Sequence, residues 1–141
     1  MPNEPIAAER QAAPARSHLF VPGDRPERFD RAWNTTAGEI VIDLEDAVGP
    51  LAKADARHSI ANWLDAARPI LLRVNAADTP WFTDDLRLSC HPGVAGVMFP
   101  KAESLPPELI DVCATKGQGI LALIETALGL QRIADLASSP M

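Results

Sequence analysis

The strongest constraint on the fold is a regular alternation between short apolar runs and segments with helical spacing. The apolar runs cover residues 18–22, 39–45, 70–75, 94–100 and 119–125, and each has the length of a single β-strand. Parallel strands need a crossover connection between them, and a helix usually supplies it. The alternation therefore predicts an α/β fold with a parallel sheet whose two faces are both covered.

The intervening segments carry helix signals. Asp24 is a candidate N-cap for the first helix, with Pro26 in its first turn, and Ser104 is a candidate cap for the third. A fourth helix is predicted over 127–137, and 79–89 is a weaker segment that predicts one short helix. Residues at three- and four-residue spacing define these helices: Phe29, Ala32, Trp33 and Thr36; Ala56, Ile60, Trp63, Leu64 and Ala67; Leu109, Val112 and Cys113; and Leu130, Ile133, Ala134 and Ala137.

A charged residue lies at the predicted end of every strand after the first. These residues are Glu45, Arg73, Lys101 and Glu125, at intervals of 28, 28 and 24 residues, about the length of one strand–helix unit. The carboxyl ends of parallel strands meet at one edge of the sheet, which is where α/β proteins bind ligands. Acids, an arginine and a lysine at one edge indicate a site for a metal and an anionic substrate. The alternative is that these side chains reach solvent where their strands end.

Arg73 and Glu125 are the leading candidates for such a site. A carboxylate that follows a buried apolar strand is costly unless it is paired or metal-bound, and Mg²⁺ uses few protein carboxylates. A planar guanidinium can hold a carboxylate or an enolate oxygen through two donors. The alternatives are an internal ion pair of Arg73 with Asp43 or Glu45, and a salt bridge or helix cap for Glu125.

Two further segments concentrate charge. Asp43, Glu45 and Asp46 place three acids within four residues, so a nearby cationic group is expected; a solvated loop is the alternative for Asp46. Arg25 and Arg28 lie where a helix begins, and a helix N-terminus with two arginines can receive phosphates. Taken alone, that loop favours the alternative of two solvated arginines.

Composition excludes several functions. The chain has 13 Lys and Arg against 19 Asp and Glu, a net charge of −6, which argues against binding to nucleic acid or to an anionic membrane. No apolar run is long enough to span a membrane. Residues 1–15 lack the apolar core of a signal peptide and predict a flexible arm, with a divergent transit peptide as the alternative. We therefore expect a cytoplasmic protein in which Cys90 and Cys113 stay reduced.

Six short segments form a recognisable series: RSHLFVPGDRPERF (16–29), IDLEDAV (42–48), KADAR (53–57), RVN (73–75), PKAES (100–104) and IET (124–126). In this order and spacing they resemble the citrate lyase β-subunit and malyl-CoA lyase family. The resemblance covers the chain from about residue 16 to its end. It implies a (β/α)8 TIM barrel of the phosphoenolpyruvate/pyruvate-binding type, and Mg²⁺-dependent chemistry at a carbon–carbon bond beside a thioester carbonyl or a 2-oxo acid.

The resemblance also assigns roles to residues. It implies that Arg73 holds the carboxylate or carbonyl oxygen of the substrate and that Glu125 is a Mg²⁺ ligand in contact with the substrate. Glu45 and Asp46 would line the pocket near the metal, and we expect Arg73 and Glu45 to be catalytic. We expect Lys101 to bind substrate as well.

The entrance to the site is implied in the same way. Phe20, Arg25 and Arg28 match the place where the CoA or carrier-protein arm enters in that family. The expected partners are thus a CoA or carrier-protein thioester and a 2-oxo acid.

A complete barrel has eight strand–helix units, and about five are predicted here, over residues 16–141 of a single TIM-barrel domain. The family's second metal-binding acid falls beyond Met141. The sequence therefore predicts either a piece of a longer enzyme or a truncated protein without lyase activity of its own. An open half-barrel exposes apolar surface, so we expect a homo-oligomer or a complex with other subunits.

The predicted reaction is Mg²⁺-dependent cleavage of a 3-hydroxyacyl thioester, such as a citryl or malyl thioester, into a 2-oxo acid and an acyl thioester. One alternative is a 2-oxo acid aldolase of the same barrel type, which would act without CoA. The other is a non-catalytic half-barrel that binds a partner or ligand.

Overall fold

Five parallel strands form one sheet in the computed structural model, which describes residues 15–139. They are β1 (His18–Pro22), β2 (Glu39–Asp43), β3 (Ile70–Arg73), β4 (Val94–Phe99) and β5 (Gly119–Ala122). Their order in the sheet is their order in the chain, and every neighbouring pair is parallel. Sequential order is that of a TIM barrel, whereas doubly wound sheets reverse direction within the sheet. The predicted α/β fold with about five strand–helix units is confirmed.

Helices connect the strands in sequence: α1 (Phe29–Trp33), α2 (Lys53–Trp63), α3 (Phe82–Ser89), α4 (Pro107–Lys116), α5 (Ala127–Gln131) and α6 (Ile133–Ala137). Short 3₁₀ turns, Pro26–Arg28 and Pro50–Ala52, lead into α1 and α2. None of the helices within 15–139 is both long and apolar enough to cross a membrane. The predicted arm over 1–15 falls almost entirely on residues 1–14, which lie outside the described part of the chain.

Proline fixes two helix starts, so two predicted caps are wrong. Arg25 rather than Asp24 is the N-cap before Pro26, and Pro106 rather than Ser104 is the N-cap of α4; neither cap residue makes a side-chain hydrogen bond. The fixed φ of proline suits the first helical position, and this determines where the chain enters each helix. The predicted single helix over 127–137 is divided in the structure into two short helices, which meet at Arg132.

The two faces of the sheet are covered differently. Ile42, Leu72 and Val97 point to one face, where they belong to the same cluster as Phe29 of α1 and Ile60 of α2. The buried apolar residues of α1–α4 all belong to this cluster. Within residues 15–139, the buried apolar residues of α1–α4 therefore cover one face of the sheet.

The opposite face is built from strand residues and from Leu123, which directly follows β5. It consists of Val41, Leu71 and Met98, with Leu121 and Leu123 packed against them. Branched and long apolar side chains from successive parallel strands are typical of a barrel interior. This face leads to the carboxyl edge of the sheet, where the predicted site lies.

Strands β2 to β5 end before their predicted limits. Glu45 and Lys101 lie two residues beyond β2 and β4, and Glu125 lies three residues beyond β5. The carboxylate of Asp43 accepts the backbone N–H of Glu45 at 2.8 Å and that of Ala47 at 3.2 Å, and this turn ends β2. Three of the charged residues therefore stand on loops at the sheet edge rather than within strands.

Candidate functional site

Charged side chains form one continuous network along the carboxyl edge of the sheet. Arg73 binds Asp43 through two hydrogen bonds, with Nε 2.8 Å from Oδ1 and Nη2 2.6 Å from Oδ2. The remaining nitrogen, Nη1, lies 3.3 Å from Oε2 of Glu45. Oε1 of Glu45 is bound by the Lys101 ammonium, and the backbone N–H of Lys101 donates to Oε2 of Glu125 at 2.8 Å. Arg73 is thus linked to Glu125 through Glu45 and Lys101.

Strand register explains why Arg73 and Asp43 meet. The two residues are direct partners in the β2–β3 ladder, so their side chains leave the sheet on the same face. Their side chains are 13% and 2% exposed, and that of Glu45 is 7% exposed. The hydrogen bonds that Arg73 donates to Asp43 raise the pKa of the guanidinium, although burial works in the opposite direction. The internal ion pair that sequence offered as an alternative is present, and it holds Arg73 at the site.

Lys101 takes part in the network through both its backbone and its side chain. Its φ angle is +48°, the only positive value at a non-glycine residue within 15–139. This left-handed conformation lets the N–H meet Glu125 while the ammonium reaches Glu45, with Oδ1 of Asp46 3.7 Å from Nζ. The hydrogen bond to Glu45 is the main reason that the pKa of Lys101 is raised. A strained residue that joins three acids is typical of a functional site.

The residues predicted for the thioester entrance divide into two groups. The ring of Phe20 lies over the guanidinium of Arg73, with 5.0 Å between Cζ and the ring centroid, so Phe20 borders the network. Arg25 and Arg28 are exposed, and their ion pairs are with adjacent acids at 3.8 and 3.9 Å. Among the described contacts, those two arginines do not join the network.

Asn75, two residues after Arg73, has a structural role. Its side-chain amide donates to the carbonyl of Leu44 at 3.0 Å and to Asp85 at 2.6 Å, and it is buried. The alternation of strand side chains stops at Arg73, where β3 ends, so Asn75 no longer shares its face. Sequence reasoning missed this role, and it offered the pairing of Asp43 with Arg73 only as an alternative to a functional Arg73.

The charges of the network fit a divalent cation. Asp43, Glu45, Asp46 and Glu125 outnumber the two cationic side chains they contact, Arg73 and Lys101, by two formal charges, and the buried ammonium of Lys53 behind the loop offsets one of these. The part of the chain that the structure describes has no group of three or more His, Cys, Asp or Glu arranged to hold a metal. Mg²⁺ is commonly held by one or two carboxylates and completes its coordination with water and substrate. The exposed carboxylate of Glu125 fits that kind of site.

Glu45 contains an unsatisfied acceptor. Its Oε2 atom is buried and has no hydrogen-bond partner among the described residues, because Nη1 of Arg73 faces it without hydrogen-bond geometry. A buried acceptor without a donor is costly in a folded protein. A hydroxyl group brought to this point by a ligand would satisfy it.

Comparison with known proteins identifies similar chains. The family model described as HpcH/HpaI aldolase/citrate lyase matches residues 16–141. A (3S)-malyl-CoA thioesterase of Cereibacter sphaeroides is 32% identical over 134 residues, which cover 92% of this chain and 47% of the relative. The chain thus spans about half the length of that curated relative.

Two solved structures show the same arrangement of elements. The citrate lyase beta subunit of Mycobacterium tuberculosis complexed with oxaloacetate and magnesium is 34% identical with a TM-score of 0.74, over 92% of this chain and 56% of that one. The protein CitE of Mycobacterium tuberculosis in complex with magnesium, acetoacetate and coenzyme A is 35% identical with a TM-score of 0.75, over 89% and 46%.

Proposed function

Because the chain belongs to the HpcH/HpaI aldolase/citrate lyase family, we propose that it supplies part of a Mg²⁺-dependent site for cleaving a 3-hydroxyacyl thioester. The products would be a 2-oxo acid and an acyl thioester. The observation that carries the proposal is the continuous Arg73–Glu45–Lys101–Glu125 network at the carboxyl edge of the sheet. Related structures that contain magnesium with oxaloacetate, and magnesium with coenzyme A, support this choice of ligands.

Arg73 would bind the acidic end of the substrate. Asp43 occupies two of its nitrogens and fixes the plane of the guanidinium, so Nη1 is the donor left for a carboxylate or carbonyl oxygen. A donor that is held before the substrate arrives stabilises developing negative charge without reorganising. Arg73 would therefore act both in binding and on the enolate that cleavage releases.

Glu45 is the group we propose for proton transfer. Cleavage requires removal of the substrate's hydroxyl proton as the carbon–carbon bond breaks, and the bonding electrons pass to the acyl thioester as an enolate. Oε2 of Glu45 is a buried acceptor without a hydrogen-bond donor, directly beside Arg73. It can accept that proton and return it to the enolate carbon.

Glu125 would hold the metal, with its carboxylate oriented by the backbone N–H of Lys101. A bound Mg²⁺ supplies Lewis-acid polarisation of the substrate oxygen. The ammonium of Lys101 adds positive charge beside Glu45 and Asp46, where an acidic substrate would otherwise meet repulsion. Phe20 would cover the guanidinium from the β1 side, and the exposed Arg25 and Arg28 would meet the phosphates of a CoA or carrier arm.

Thioester hydrolysis is a second candidate, because the 32%-identical relative from Cereibacter sphaeroides is a malyl-CoA thioesterase. The same recognition of the acid end would then serve attack by water on the thioester carbonyl. The two reactions differ in their products. Malyl-CoA cleavage yields glyoxylate and acetyl-CoA, whereas hydrolysis yields malate and free CoA.

Calorimetry with oxaloacetate tests the proposed site. Binding should require Mg²⁺ and should weaken by about tenfold or more in Arg73→Lys and in Glu125→Gln, because each loses a directed charged contact. Arg87→Lys is the matched control, since Arg87 is exposed on α3 and pairs only with Asp84 at 2.6 Å among the described contacts. Equal affinity in all four proteins, or binding that ignores Mg²⁺, would contradict the proposal.

Product analysis with malyl-CoA and Mg²⁺ separates the candidate reactions. Glyoxylate indicates lyase chemistry and free thiol indicates hydrolysis. Metal-dependent binding without either product favours the binding-module alternative. Reversing the charge of Arg25 and Arg28 should weaken CoA-ester binding and leave oxaloacetate binding unchanged, and equal effects on both ligands would refute the assignment of those two residues.

A further inference from the structure

We propose that Lys53 is a positioning residue, and that its buried ammonium fixes the loop carrying Glu45 and Asp46 in the orientation the site requires. The inference rests on the proposed function for the role of those two acids. It does not depend on which thioester reaction the site performs.

Lys53 binds the loop through two consecutive carbonyl groups. It is the first residue of α2 and is 4% exposed, so its ammonium lies behind the site rather than in solvent. Nζ donates to the carbonyl oxygen of Leu44 at 2.7 Å and to that of Glu45 at 2.8 Å. The chain must curve around the ammonium to present both oxygens to it. The ring of Trp81, 4.8 Å from Nζ, covers another side.

The same loop is held from a second direction. The amide of Asn75 donates to the carbonyl of Leu44 at 3.0 Å and to Asp85 at 2.6 Å. Asp85 is fully buried on α3 and also accepts from the backbone N–H of Asn75 at 2.9 Å and from Arg57 at 3.0 Å. The Leu44 carbonyl therefore has two donors, one from α2 and one fixed by α3.

The cost of burying Lys53 indicates that it has a specific role. Burial lowers the pKa of its ammonium, and Asp85 is the largest of the acidic influences that oppose this effect. Buried charged groups are often no better for stability than apolar residues of the same size. Here both described hydrogen bonds of the ammonium go to the backbone that leads into Glu45 and Asp46. The contact therefore determines where the two acids stand relative to Arg73 and Lys101.

Two measurements on the full chain test the proposal. Lys53→Met keeps the bulk of the side chain and removes the donor; Lys116→Met is the control, because Lys116 is exposed at the end of α4. In Lys53→Met we expect amide exchange at residues 45–48 to accelerate by about tenfold or more, while the amides of α4 keep their parent rates. Mg²⁺-dependent oxaloacetate affinity should fall by about 10- to 100-fold, the usual effect of losing a residue that orients a ligand-binding group. Lys53→Arg, which retains a charged donor, should recover part of both.

The outcomes separate this inference from the proposed function. If the parent chain does not bind oxaloacetate, the proposed function fails, and the exchange rates alone decide whether Lys53 holds the loop. The positioning role is overturned if amide exchange at 45–48 is unchanged in Lys53→Met. It is also overturned if exchange is faster but oxaloacetate affinity does not fall, in a chain whose parent binds oxaloacetate. Acceleration spread evenly over the whole chain also overturns it, since that result indicates general stability. If Lys53→Met does not fold, Asn75→Ala removes the other donor to the Leu44 carbonyl and is judged by the same criteria.

Discussion

Replacing Arg73 with methionine should destabilise the fold strongly, because the buried Asp43 would lose its ion-pair partner and the buried Glu45 would keep only Lys101. Arg73 makes two hydrogen bonds to Asp43, whose side chain is 2% exposed, and faces Glu45 at 3.3 Å. Removing one partner of a buried ion pair leaves an uncompensated charge and costs about 3–5 kcal/mol. The free energy of unfolding of a domain of this size is about 5–15 kcal/mol, so this loss is a large fraction of its stability.

The double variant distinguishes charge from packing. Arg73→Met with Asp43→Asn removes the more deeply buried of the two charges, and we expect it to be more stable than Arg73→Met alone by at least about 1 kcal/mol. The assay is urea unfolding followed by circular dichroism, with the denaturant slopes compared to confirm that the unfolded state has not changed. Arg87→Met serves as the control and should change stability by less than about 0.5 kcal/mol, because its ion pair with Asp84 is exposed.

Two results would refute this reasoning. One is an Arg73→Met protein destabilised by less than about 1 kcal/mol, since the charges of Asp43 and Glu45 would then be solvated in the folded state. The other is a double variant less stable than the single one, which would show that lost packing and lost hydrogen bonds outweigh the unpaired charge. Either result would also weaken the assignment of Nη1 as a donor for substrate.

Three further predictions concern a tightly packed glycine, a buried thiol and a buried carboxylate. Gly23→Ala should lower the unfolding free energy by about 1–3 kcal/mol, because its Cβ would lie 2.9 Å from the Asp43 carbonyl oxygen. Gly49→Ala is the control, because the space around Gly49 is open. Thermal denaturation is the assay, and equal melting temperatures for the two variants would contradict the prediction. Burial raises the pKa of the Cys113 thiol from 9.0 to about 11, so at pH 8 the fraction of thiolate should be about 100-fold lower than in an unperturbed thiol. Iodoacetamide should therefore alkylate Cys90 before Cys113. Equal alkylation rates by mass spectrometry would exclude the raised pKa. Burial also raises the pKa of Asp85 above 3.8, so the folded state binds its proton more tightly than the unfolded state does. The stability of the parent relative to Asp85→Asn should therefore fall as pH rises from below 3.8 through the raised pKa, and a constant difference between the two urea curves would show that the shift is absent.

Much of the fold was predictable because its signals are local. The alternation of apolar runs with helical spacing gave the parallel sheet, and β1 has its predicted limits. The ends of the other strands were not predictable in this way. The carboxylate of Asp43 redirects the chain after β2 through hydrogen bonds from the backbone N–H groups of Glu45 and Ala47. The left-handed backbone of Lys101 redirects it after β4, where the Lys101 N–H meets Glu125 from beyond β5.

The candidate site was predictable as a set of residues but not as a network. The rule that parallel strands present their carboxyl ends together predicted a common edge for Arg73, Lys101 and Glu125. It could not show that Asp43 orients Arg73, since that follows from the β2–β3 register. Lys53 was missed for another reason, although one signal was available. A lysine at the first position of a helix opposes the helix dipole, so an additional partner for it should be expected.

The positive φ of Lys101 has a consequence for how this position can change. A left-handed backbone costs a non-glycine residue about 1–2 kcal/mol, so glycine would relieve strain here and keep the N–H that meets Glu125. Glycine would also remove the only ammonium that contacts the side-chain carboxylate of Glu45 among residues 15–139. Selection for heat resistance and selection for ligand affinity therefore favour different residues at position 101. A library screened for thermostability alone should enrich glycine there and lose oxaloacetate binding with it.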